Sequence, residues 1–69
     1  MKMMLVKDAR EAFAGTNLKG FAAEMGISTV DAQSVESYIN HEDVPGDSIV
    51  ILEETIINGV KMGAGNVCI

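Results

Sequence analysis

One histidine and one cysteine bound the covalent chemistry open to this chain of 69 residues. His41 is followed directly by Glu42 and Asp43. A zinc site built on it would need a second histidine or a thiolate, and neither is at hand. A general base would need an oriented partner and a pocket. The three residues read instead as a solvated acidic loop. Glu53 and Glu54 are adjacent, so on a strand their side chains point to opposite faces and cannot work as a carboxylate pair. Ser28, Ser34 and Ser37 have only His41 to activate them. Gly63-Ala64-Gly65 lacks the third glycine, the strand-to-helix setting and the downstream acid of a dinucleotide loop. Cys68 allows no internal disulfide and no thiolate cluster. Next to last in the chain, it does not fit a prenylation box. The expectation is a protein that binds rather than catalyses, with no metal and no cofactor.

Charge narrows what it binds. Residues 1–30 carry Lys2, Lys7, Arg10 and Lys19 against Asp8, Glu11 and Glu24. Residues 31–54 carry seven acids and no Lys or Arg, and the remainder adds only Lys61. The net charge is -5, and the middle third repels phosphate. A lone cysteine suits a reducing compartment. The apolar start Met1 to Val6 is too short for a signal-peptide core before Lys7-Asp8, and no stretch nears the roughly 20 apolar residues of a membrane span. A cytoplasmic location is expected.

The elements that position these residues belong to one small domain, 1–69, of the α+β class. Met3-Met4-Leu5-Val6 suggests a short strand. Asp8 and Glu11 have the spacing of a capping box, predicting a first helix over about 7–14 that Gly15 stops. Leu18, Phe21, Ala22 and Met25 make one apolar face of a second helix after Thr16-Asn17. Gly26 ends it. Ser28 to Asp31 opens a third helix reaching about Ile39, with Ala32, Val35 and Ile39 inward and Asp31 at the favourable end of the helix dipole. Pro45-Gly46-Asp47 is a turn. A β-hairpin is predicted over about 48–69, its turn at Asn58-Gly59, where both residues tolerate positive φ. The return strand would run from Val60 through Gly63-Ala64-Gly65 to Ile69. The small, methionine-rich core, five Met in all, favours self-association.

Helices two and three, over about 17–39, have the pattern of a helix-turn-helix: small Ala22 at the crossing, Gly26 in the turn, Ile27 as the first core residue beyond it. From Leu5-Val6-Lys7-Asp8 to Phe13, through Phe21-Ala22-Ala23-Glu24-Met25-Gly26-Ile27 and the strands around Asn58-Gly59, the chain resembles the Cro-like phage repressors. That resemblance implies a homodimer, joined through the C-terminal strand, that binds operator DNA as a transcriptional regulator of phage or mobile-element type. It implies base reading by Thr29, Gln33, Ser34 and Ser37, glutamine being suited to adenine. Lys7, Arg10 and Lys19 would make the phosphate contacts, which position without specifying.

The sequence departs from that family by having no Lys or Arg between residues 20 and 60. Phosphate neutralisation supplies essentially all non-specific DNA affinity. A second expectation follows from the acids themselves. Asp31, Glu36, Glu42, Asp43 and Asp47 would form a surface for a basic protein partner, as in an antirepressor or a DNA-mimicking inhibitor. No membrane partner is expected in either case.

Overall fold

The computed structural model describes residues 2–68, with the side chains of residues 67 and 68 excepted. The order is β1 (Met3–Leu5), α1 (Val6–Ala14), α2 (Leu18–Met25), α3 (Thr29–Ile39), β2 (Ile49–Ile51), β3 (Thr55–Ile57), β4 (Val60–Met62) and β5 (Val67–Cys68). The fold is α+β, as expected: a short N-terminal strand, three helices and a C-terminal antiparallel strand pair. No helix is long and apolar enough to cross a membrane among the described residues.

The three helices bury one stripe each. Val6 and Ala9 from α1, Phe21 and Ala22 from α2, and Ala32, Val35 and Ile39 from α3 form the core with Val50 and Leu52. Leu18, Met25 and Ile27 pack partly buried around them. Phe13 stacks on Phe21 at 4.0 Å between ring centroids, tying α1 to α2. The two rings lie within 17° of parallel, and such large apolar surfaces dominate the energetics of a small core.

Two helices start as their sequences dictate. Asn17 accepts a hydrogen bond from the Gly20 N–H at the head of α2, and Ser28 accepts one from the Asp31 N–H at the head of α3. Such caps satisfy N–H groups that have no partner within the helix. The first helix does not follow its capping-box pattern. β1 runs straight into α1, so the helix begins at Val6 with Leu5 as N-cap and no side-chain cap. Its free N–H groups go instead to the later chain: Val6 donates to the Ser48 carbonyl at 2.8 Å, and Lys7 to that of Gly46 at 2.9 Å. Asp8 and Glu11 are left exposed on the helix surface.

The C-terminal strands form one hairpin with a break in it. Around Asn58-Gly59, both at positive φ (51° and 79°), β3 pairs with β4. Further from the turn β2 pairs with β5, and on its other edge with β1. The two ladders share one register: stepping inward from Val50↔Val67 reaches Thr55↔Met62 with no residue inserted. Gly65 and Asn66 still bond across to Ile51, the Gly65 N–H donating to its carbonyl and its N–H to that of Asn66, each at 2.8 Å; residues 52–54 and 63–64 then interrupt the pairing. Leu52 is fully buried in the core and donates to the Lys2 carbonyl, whereas the next two residues, Glu53 and Glu54, are charged. The ladder gives way where the chain leaves the core. Gly65 supplies the positive φ (86°) opposite. A return strand through Gly63-Ala64-Gly65 is therefore found in two pieces, and Ile69, its expected end, lies outside the described residues.

Candidate functional site

The junction of α2 and α3 sets the site. Gly26 caps α2 in the left-handed conformation (φ 69°), its N–H reaching the carbonyls of Ala22 and Ala23. Ile27 then turns inward and Ser28 restarts the helix. A side chain at Gly26 would meet nothing within 4 Å, so the glycine is there for its backbone angle, not for space. With Ala32, Val35 and Ile39 inward, α3 turns its other side to solvent. Thr29, Gln33, Ser34 and Ser37 are all exposed.

These four are not equivalent. The Ser34 hydroxyl donates to the Val30 carbonyl at 3.3 Å, turning back on its own helix. The Gly65 turn also lies close: a Cβ there would stand 2.7 Å from the Ser34 carbonyl oxygen. Thr29, Gln33 and Ser37 keep their polar groups free of hydrogen bonds within the described residues. Beside them sits a residue that a search for polar readers overlooks. Val30 is 70% exposed, the most exposed of the large hydrophobic side chains among the described residues. Its signal in the sequence is an apolar residue three positions before Gln33 and out of phase with the buried stripe.

The expected phosphate-contacting residues divide. Lys7 and Lys19 are exposed. Arg10 is half-buried, and its guanidinium holds the far end of α3. Nε donates to the Ile39 carbonyl at 2.8 Å, and Nη2 to those of His41 at 3.1 Å and Val44 at 2.9 Å. A planar fork of donors suits this cluster of helix-end and loop carbonyls, and its charge meets the negative end of the helix dipole. The sequence distance, 29 to 34 residues, hid this arrangement.

Arg10 also determines how the acids are presented. Between the carbonyls it grips, Glu42 and Asp43 are exposed on a loop tied at both ends. Asp47 is exposed in the following turn, whose Gly46 carbonyl receives the Lys7 N–H. Asp31 and Glu36, by contrast, are half-buried along the sides of α3. Among the described residues, no group of three His, Cys, Asp or Glu side chains could hold a metal ion. An open depression lined by Lys2, Glu54, Thr55, Ile56 and Lys61 lies on the outer hairpin, with Lys61 and Glu54 paired loosely at 3.8 Å.

No protein-family model, curated protein or solved structure matches the chain.

Proposed function

We propose that this is a non-catalytic regulator that binds operator DNA as a homodimer, of the phage or mobile-element kind that the Cro-like repressors exemplify. The observation that carries the reading is the exposed polar row on α3, Thr29, Gln33 and Ser37, held out by a capped helix-turn-helix. Gln33 offers adenine a donor and an acceptor together. Lys7 and Lys19 supply phosphate contacts. The outer hairpin serves the dimer: Ile56 and Val60 are 68% and 58% exposed, and no residue of β3 or β4 joins the core. A bare two-stranded ribbon is marginal in water, so a second copy laid against it would stabilise both. The setting is the cytoplasm.

Fluorescence anisotropy against random duplex DNA tests this at about 50 and then about 200 mM salt, where screening differs strongly. With Lys7 and Lys19 of each protomer on phosphates, log K falls with log salt at a slope of about -3.6, or about 150-fold between those salts. The absence of any signal from micromolar protein at the lower salt, together with failure to select any bound duplex from a random pool, overturns the proposal.

One observation favours a second reading. Arg10 is engaged within the fold, and the loop it ties displays Glu42 and Asp43. That loop, with Asp47, Asp31 and Glu36, would face a basic protein. Complementary charge of this kind speeds association. Capture of a basic partner that Glu42→Gln and Asp43→Asn release would establish it.

A further inference from the structure

The DNA reading leaves Val30 unexplained. An apolar side chain held 70% in solvent contributes nothing to the core, and its place is the first turn of α3, on the side opposite the buried stripe. It lies three residues before Gln33, four before Ser34 and seven before Ser37, which makes it a neighbour of each on the outer face of the helix. Any groove that receives Gln33 receives Val30 as well.

We infer that Val30 is a specificity residue that packs on the 5-methyl group of a thymine in the major groove. Of the groups a base pair presents there, only the thymine methyl is apolar, and apolar side chains are what recognise it. The neighbours point the same way. Gln33 matches adenine, and α3 holds no Arg or Lys to take the O6 and N7 acceptors of guanine. The Ser34 hydroxyl, turned back onto the Val30 carbonyl, leaves the valine methyls as the foremost group on that part of the face. The half-site that fits this face has A·T pairs at its centre, one read through hydrogen bonds by Gln33 and one through its methyl by Val30. The inference rests on the DNA reading above and adds to it a residue and a base.

The experiment is built so that the two fail separately. An operator is first selected from random duplexes with the wild-type protein. Each thymine of the selected site is then replaced singly by deoxyuridine, which removes the methyl and changes no hydrogen bond. Binding is measured for wild type and for Val30→Ala, an exposed change whose folding is confirmed by circular dichroism. One thymine in each half-site is expected to matter. Its replacement weakens wild type by about four-fold, the effect of one buried methyl-sized group, and by about 15-fold when both half-sites are changed. In Val30→Ala that sensitivity is reduced or gone. Val30→Thr, which keeps one methyl, retains part of it. Tight binding that no deoxyuridine disturbs, or a loss that Val30→Ala shows undiminished, overturns the role of Val30 and leaves DNA binding standing. Failure of selection to yield any bound duplex overturns both, and a protein partner for this face is then the reading to pursue.

Discussion

Replacing Arg10 by methionine keeps an apolar stem of similar length and removes the guanidinium. Three hydrogen bonds go with it, to the carbonyls of Ile39, His41 and Val44. A hydrogen bond to a charged group nets about 1.5–3 kcal/mol where it is shielded from water. Two of these three are only part-buried and the third is exposed, so water replaces much of what is lost. A total of about 2–3 kcal/mol remains once that screening is allowed for. A chain of this size has about 3–10 kcal/mol in all. At about 4–8 °C per kcal/mol for small domains, the melting midpoint falls by roughly 10–20 °C. Arg10→Lys recovers little, because a single ammonium cannot span three carbonyls set for a planar fork. Thermal melts by circular dichroism measure the midpoint. Amide exchange at Val44, whose N–H closes the clamped turn onto the His41 carbonyl, reports the loop directly. A shift below about 3 °C with Val44 still protected would refute the clamp, since even one lost hydrogen bond exceeds it. A fully stable variant that had lost affinity for DNA would instead return Arg10 to the phosphate contacts.

Two further expectations concern backbone and charge. Gly65→Ala places a methyl 2.7 Å from the Ser34 carbonyl oxygen at a positive φ, whereas Gly59→Ala has the same kind of φ and nothing within 4 Å. Urea midpoints should separate them, with Gly59→Ala costing about 1–2 kcal/mol for conformation alone and Gly65→Ala distinctly more; equal losses would mean the turn at 63–66 does not press on α3. On the proposed function, neutralising the flanks of α3 with Asp31→Asn and Glu36→Gln should raise DNA affinity several-fold at low salt, even though Asp31→Asn gives up about 0.3–1 kcal/mol of helix-dipole stabilisation. Unchanged or weaker binding to duplex DNA, measured by anisotropy, would place those acids away from phosphate.

What the sequence made legible was local. Asn17, Ser28, Gly26 and Asn58-Gly59 each act within a few residues of themselves, and each does in the structure what its type suggests. The inward stripe Ala32, Val35 and Ile39 was equally plain, because burial follows helical period. What escaped notice was distant. The acids at Asp8 and Glu11 mimic a cap, yet the N-terminus of α1 is satisfied by carbonyls some 40 residues later, brought there by β1 pairing with β2. Arg10 looked like a surface cation because nothing nearby in sequence gave it a partner. The break in the hairpin did leave a trace: Glu53-Glu54 lies across from Gly63-Ala64-Gly65, a charged pair facing residues that hold a strand poorly.

The site was less legible than the fold for a related reason. A cap or a core residue is explained by neighbours that the chain itself supplies, whereas an exposed side chain is explained by something outside it. Charge then narrows what that something is. The acids of α3 lie half-buried on its sides, and its outer face of Val30, Gln33 and Ser37 is neutral. With Arg10 engaged, Lys7 and Lys19 are the cations left from the expected phosphate set. If this surface enters a DNA groove, it carries little of the sequence-blind attraction that most such proteins use, and affinity has to come from the bases. Its binding would be demanding of sequence and shallow in its response to salt, well below the slope of proteins with six to ten phosphate contacts. A basic protein docking on Glu42, Asp43 and Asp47 would make charge the principal attraction, so salt would slow its association steeply. The two readings therefore diverge in salt dependence before either a sequence or a partner is known.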